Sequence, residues 1–204
     1  MSFTLPKRPR AAGVFSTVMV SASCFSSSFC CLFILLGVWA GTIRGTEATL
    51  FYVITYAPIV VATFAIVTLI GGVGDEHHSI ERYQGLARRQ PWLGAALAVL
   101  LLSQLGAPLT TGFYAKFAVL ASVVDAGGGA LALIALISAA IAAFFYLRWA
   151  MALYSDDGPE ADRIVVPRAT AVVIGFGVAV TLVFGIWPGP LVTLAQHATV
   201  LFTP

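Results

Sequence analysis

Lys116 is the only charged residue between Gln90 and Asp125, and Phe113, Tyr114 and Phe117 flank it. Just upstream the chain carries the helix-breaking Gly106-Ala107-Pro108, with Gly112 beyond it. An ionisable group inside a long apolar stretch is costly and is a functional hypothesis by default. Removal from water disfavours the ammonium, so a small electrostatic nudge there could load or unload a proton, which is what a proton relay requires. The other reading makes the break an interfacial turn from which Lys116 snorkels back to the headgroups. Eight residues of helix from Pro108 rise about 12 Å, more than a lysine stem comfortably reaches, which favours the buried base.

Other polar groups gather near the same break. Ser103, Gln104, Thr110, Thr111 and Tyr114 are channel-lining candidates that could hold water beside Lys116; gluing helices together is the competing role for such residues. Asp125 joins Lys116 as a proton-transfer candidate, or else caps a helix end. His77-His78 titrate in the range useful for collecting protons, although a double histidine in a charged loop is more often simply solvated. Arg148 is expected to snorkel, and His197 falls in Leu191 to Phe202, a stretch able to rest on a membrane surface. Cys24, Cys30 and Cys31 sit in one apolar stretch without histidines or a second cysteine pair at metal spacing, so no metal site is expected. Nothing in the chain points to a catalytic nucleophile, a Rossmann glycine pattern, a flavin motif or an iron–sulfur cysteine set.

These residues must be positioned by helices that cross a bilayer. The chain has 204 residues, 59% hydrophobic and 10% charged, with mean hydropathy +0.95; soluble domains carry roughly a quarter charged residues. Its charges fall in short clusters between long uncharged runs. A net charge of +2 with scattered basic residues gives no support to nucleic-acid binding.

A crossing helix needs about 20 mostly apolar residues. Ala48 to Gly74, Gln90 to Ala115, Ala126 to Leu147 and Ala169 to Ile186 meet that length, and Pro108 to Val124 is a fifth, short or interrupted span. Pro91 opens the second at a helix N-terminus, the Gly127-Gly128-Gly129 turn precedes the span from Ala126, and Trp187-Pro188-Gly189-Pro190 ends the last. Non-helical backbone at membrane depth is tolerated only where protein or a water-filled cavity surrounds it, and such breaks tend to mark ion pathways. The expected fold is therefore an all-α, polytopic transmembrane bundle with one span interrupted near Gly106 to Gly112. Met1 to Arg10 is basic, Ala11 to Cys31 is rich in serine, and only Phe29 to Ala40 is strongly apolar, so the N-terminus reads as a partial helix rather than a signal peptide. Alternating the five spans puts Arg44, Arg148, Arg163 and Arg168 on one side and Arg82, Arg88 and Arg89 on the other, a faint positive-inside lean toward the first as cytoplasmic.

Gly85-Leu86-Ala87-Arg88-Arg89 with Pro91, then Leu102-Ser103-Gln104-Leu105-Gly106-Ala107-Pro108, then Thr111-Gly112-Phe113-Tyr114-Ala115-Lys116-Phe117 resemble consecutive eleventh and twelfth helices of the subunit N family of bacterial NADH:quinone oxidoreductase, respiratory complex I. Ser138 to Arg148, ending Phe144-Phe145-Tyr146-Leu147-Arg148, is similar to the thirteenth helix and Leu50 to Val67 to the tenth. The resemblance implies an antiporter-like membrane subunit in which the lysine of a Gly-Phe-x-x-Lys motif, here Lys116, belongs to a chain of buried groups passing protons. It also implies partners: other membrane subunits of the complex, in an inner (cytoplasmic) membrane, with NADH, FMN, iron–sulfur clusters and quinone handled by partner subunits and no redox chemistry in this chain. A multi-subunit cation/proton antiporter shares the helix motif and is the nearest alternative.

The resemblance covers residues 33–204, corresponding to helices nine (partial) to fourteen, whereas residues 1–32 do not resemble the family. The chain also departs from the pattern at Pro108-Leu109, where two prolines are usual, and at Pro58. A full subunit has about fourteen helices in two inverted repeats, so DNA upstream of Met1 is expected to encode further helices, unless the chain is a truncated, non-transporting remnant.

Overall fold

The computed structural model describes residues 29–71, 83–155 and 164–200. Cys24, His77, His78, Arg82, Arg163 and the acidic residues between Asp156 and Asp162 lie outside the described residues. Among those described, every regular element is an α-helix: α1 (Phe29–Trp39), α2 (Ile43–Gly71), α3 (Leu86–Arg89), α4 (Pro91–Leu105), α5 (Thr111–Asp125), α6 (Gly129–Ala152), α7 (Arg168–Ile186) and α8 (Gly189–Val200). The expected all-α polytopic bundle is what forms. Four of the five apolar intervals coincide with helices in their described parts, whereas Gln90 to Ala115 is cut at the break, its first part forming α4 and its last residues belonging to α5; the strongly apolar N-terminal piece becomes α1.

Three helices, α2 with 29 residues, α6 with 24 and α7 with 19, are long and apolar enough to cross a membrane. At 1.5 Å per residue they rise about 28 to 44 Å against a hydrocarbon core of about 30 Å. The remaining pieces are shorter. α4 and α5 have 15 residues each, about 22 Å, and neither crosses such a core upright by itself.

Long-range contacts show how these two short helices are arranged. At the far end of α5, Asp125 meets Arg44 at the start of α2. At the end of α4, Gln104 meets Tyr56 and Thr63 in the middle of α2. At the start of α4, the Gln90 side chain donates to Ile164, Ala87 donates its N–H to Leu153 at the end of α6, and Tyr83 packs edge-on against Trp149. Gly128, before α6, lies against Val123 of α5. The segment 91–125 therefore runs antiparallel to both α2 and α6 and makes one discontinuous crossing, α4 and α5 stacked end to end about the break. α7 passes its middle, with Gly177 against Pro58, Ala62 and Leu100 and Gly185 against Leu109 and Thr110. α1 folds back along the first half of α2, stacking Phe33 on Tyr52 at 5.7 Å, and Phe29, the first described residue, lies at mid-depth beside Lys116.

This geometry corrects the alternation of sides expected from five separate spans. Arg88 and Arg89 share one end of the bundle with Arg148 and Arg168, because α3 and the start of α4 pack against the end of α6 and the approach to α7. Arg44 lies at the other end, beside Asp125. The physical reason is the break: two stacked half-helices change the side once, where two full helices would have changed it twice.

Burial follows the same plan. The core is built from Phe33, Tyr52, Ile59, Ile66, Leu93, Leu97, Leu100, Leu101 and Val119 on the facing sides of α1, α2, α4 and α5. α6 turns Leu133, Ile134, Leu136, Ile137, Ile141 and Phe144 outward. In water so much exposed apolar surface would be an aggregation hazard; in a bilayer it is the ordinary face of a helix touching acyl chains. The chain is a multi-pass membrane protein.

Candidate functional site

Pro108 creates the site by what it lacks. In an uninterrupted helix the carbonyl of Gln104 would accept from the N–H of residue 108, and proline has none. Gly106 adopts φ +91° and ends α4 with a left-handed turn in which the Gly106 and Ala107 N–H groups both donate to Leu102. The last carbonyls of α4, those of Gln104 and Leu105, are left to other donors at the negative end of the helix dipole. Lys116 supplies them. Its ammonium donates to the Gln104 carbonyl and, at 3.2 Å, to that of Leu105. The Tyr56 hydroxyl donates to the same Gln104 oxygen at 2.8 Å.

Aromatic rings close the other sides. Lys116 Nζ stands 5.2 Å from the ring centre of Phe29, 6.0 Å from Phe33 and 5.9 Å from Tyr56. Lys116 is only 6% exposed. Hydrogen bonds from a charged donor stabilise by about 2 kcal/mol each, and a desolvated cation over aromatic rings adds about 1 to 2 kcal/mol. Together these offset part of the several kcal/mol lost when a cation leaves water. Snorkelling is ruled out by depth: Tyr56, which shares its acceptor with Lys116, lies near the centre of α2, about 20 Å of helix from either end.

The neighbouring polar residues take distinct places. The Gln104 amide donates to Thr63 at 2.6 Å, and Thr63 donates to the Ile59 carbonyl. Ser103 is buried, and its hydroxyl accepts from the Gly112 N–H at 3.4 Å; a Cβ on Gly112 would come within 1.8 Å of the Ser103 carbonyl oxygen, so only glycine permits this approach of α5 to α4. Thr110 donates to the Ala107 carbonyl at 2.7 Å. Thr111 is fully buried with no hydrogen-bond partner for its hydroxyl among the described residues, as suits a place where water could be held. Leu109 carries φ +69°, a conformation a leucine adopts at a cost of about 1 to 3 kcal/mol.

The structure does not bring every candidate to Lys116. Tyr114 turns away, into a cleft of about 350 Å³ bordered by Arg44, Glu47, Phe51, Phe117 and Asp125. Asp125 lies nine residues along α5, about 14 Å of rise, in an exposed pair with Arg44 at 2.7 Å. Phe29, Phe33 and Tyr56, which do surround the lysine, and Thr63, which holds the Gln104 amide, were not singled out in the sequence. The two α2 residues had a signal: Tyr52, Tyr56, Ile59 and Thr63 recur at helical spacing on one face of an otherwise aliphatic run. Phe29 and Phe33 had none, since their approach to Lys116 depends on how α1 folds back.

Comparison with known proteins agrees with this architecture. "NADH-quinone oxidoreductase subunit N 3" of Streptomyces griseus subsp. griseus is 42% identical over 171 residues, covering 82% of this chain and 31% of its own length. Subunit N of Rhodococcus opacus is 41% identical over 172 residues, covering 83% and 32%. The chain thus spans about a third of the length of the curated relatives it matches. Among solved structures, a chain of respiratory complex I from Thermus thermophilus superposes with TM-score 0.70 at 23% identity, covering 91% of this chain and 45% of that one. A chain of the Mrp complex from Dietzia sp. gives 0.71 at 20% identity, covering 93% and 47%. These two likenesses speak for the fold. The model of the family described as "NADH:quinone oxidoreductase/Mrp antiporter, TM" matches residues 23–142, which take in the broken crossing, Lys116 and the α2 face opposite it, and the chain belongs to that family.

Proposed function

We propose that this chain contributes to proton translocation as part of an antiporter-like membrane subunit of an NADH:quinone oxidoreductase, with Lys116 as the group that takes up and releases the proton. The observation that carries the reading is the buried ammonium on the freed carbonyls of a broken helix at mid-depth. A base held there by carbonyl dipoles and rings exchanges a proton when water reaches it or a nearby charge changes. Ser103, Thr110 and Thr111 supply polar walls for water at the break, and Asp125 is a station at the exposed end for which bulk water can substitute.

NADH oxidation, FMN, iron–sulfur clusters and quinone reduction belong, on this reading, to partner subunits, and other membrane subunits of the complex flank the apolar faces of α6 and α7. The membrane is the inner (cytoplasmic) one. The end carrying Arg88, Arg89, Arg148 and Arg168 faces the cytoplasm, because basic residues are retained on that side. Membership of a multi-subunit cation/proton antiporter is the second reading. Relatives named subunit N at about 40% identity favour the first.

The test is Lys116→Ala in the chromosomal gene, followed in inverted native membrane vesicles. NADH-driven proton uptake per complex is expected to fall at least about tenfold, within the range that loss of a proton-transferring group produces, while assembled complex stays near its normal level. Undiminished uptake in a normally assembled Lys116→Ala complex would refute the reading.

A further inference from the structure

Tyr56 and Lys116 share one acceptor. The Gln104 carbonyl receives the tyrosine hydroxyl at 2.8 Å and the lysine ammonium on its other side, so the two donors stand within about 5 Å of each other on a single oxygen. Two donors on one buried carbonyl are well matched only while both have protons to give. When the ammonium loses a proton, the neutral amine gains a lone pair and becomes an acceptor, and the donor already beside it is the Tyr56 hydroxyl.

We propose that Tyr56 is a positioning residue for Lys116, its hydroxyl swinging from the Gln104 carbonyl to the amine nitrogen once the lysine has given up its proton. The inference rests on Lys116 acting as the relay group. In the step itself one Nζ–H bond breaks and that proton passes to a water at the break. The tyrosine keeps its own proton and only exchanges one hydrogen-bond acceptor for another. The swap keeps the amine fixed at mid-depth, ready to be reloaded, where an unpartnered amine would be free to turn away and would leave a buried polar group unsatisfied.

The surroundings limit which other groups could do this. Among the described residues, the titratable side chains interacting with the pair are Cys30 on α1, Tyr52 on α2 and Tyr146 on α6. α4 offers backbone carbonyls and the Gln104 amide, and that amide is committed to Thr63. Tyr52 and Tyr56 stack with ring centres 4.4 Å apart, but only Tyr56 shares the lysine's acceptor.

The experiment uses native membrane vesicles with Tyr56→Phe, and separately with 3-fluorotyrosine placed at position 56, reading the pH profile of NADH-driven proton uptake per assembled complex. Removing the hydroxyl takes a partner from the neutral amine and leaves Gln104 to the ammonium alone, so the half-maximal point is expected to move about half a pH unit or more toward alkaline pH. Fluorotyrosine keeps the shape and is a stronger donor, so its profile is expected to move the opposite way. A purely structural tyrosine would give an unmoved profile for fluorotyrosine, and unmoved profiles in both variants overturn the proposal. If Lys116→Ala still abolishes uptake when they do, the relay reading survives and only the role of Tyr56 falls; if Lys116→Ala pumps normally, both fall.

Discussion

Lys116 and Arg44 are both cations beside a helix end, yet the bundle treats them in opposite ways. Arg44 sits at the rim with its side chain 78% exposed, paired with an Asp125 that is itself half exposed. Water screens that pair, and such exposed bridges contribute about 0 to 1 kcal/mol. Lys116 has no carboxylate among its partners in the described residues. Two carbonyls of a broken helix and three aromatic rings hold it instead, none of which neutralises its charge. A carboxylate at that depth would pin the ammonium as an ion pair and make proton release costly. Dipoles and rings hold it without a fixed counter-charge, which is what the proposed proton release requires.

That contrast can be broken at several points. The largest effect is expected from Gly112→Ala, because its new Cβ would meet the Ser103 carbonyl oxygen at 1.8 Å and force α5 away from α4. Overpacking of this kind costs about 1 to 3 kcal/mol, so quantitative blotting of membranes should show clearly less assembled complex. Normal amounts of complex with normal pumping would mean that the close stacking of the half-helices is dispensable.

Pro108→Ala sharpens the comparison by returning an N–H to position 108, where it can compete with Lys116 and Tyr56 for the Gln104 carbonyl. Assembly should survive, and NADH-driven proton uptake is expected to fall about fivefold, in keeping with a net hydrogen-bond contribution near 1 kcal/mol. Uptake equal to wild type would show that the freed carbonyl is not what holds the lysine.

The smallest effect belongs to the rim. Asp125→Asn leaves Arg44 in water, so uptake should stay within about twofold of wild type and stability should change by less than about 1 kcal/mol. A collapse of pumping in Asp125→Asn with intact assembly would reverse the contrast and place an essential carboxylate at the end of α5.

Legibility from sequence followed the range of the interactions involved. The break was readable because Gly106, Pro108 and Gly112 act on their own backbone: a missing N–H, a left-handed turn and a glycine-only approach are local facts. Lys116 was readable because one charge in 35 apolar or uncharged residues has no cheap explanation. The direction of the chain after the break was not readable. Two short apolar helices in series look the same on paper whether they form a hairpin or stack end to end, and that choice reversed the expected grouping of the arginines.

The sequence by itself determined that the chain lives in a bilayer, that its helical run breaks between Gly106 and Gly112, and that one base is stranded among apolar residues, because composition, proline, glycine and hydropathy act within a few residues. Only the tertiary structure decided what surrounds that base. Phe29 and Phe33 on α1, Tyr56 on α2 and Gln104 on α4 come from three segments separated by up to 75 positions, and they meet at Lys116 because α1 folds back along α2 while the broken crossing lies against the middle of α2. No local pattern encodes that meeting; it follows from how four helices share one core.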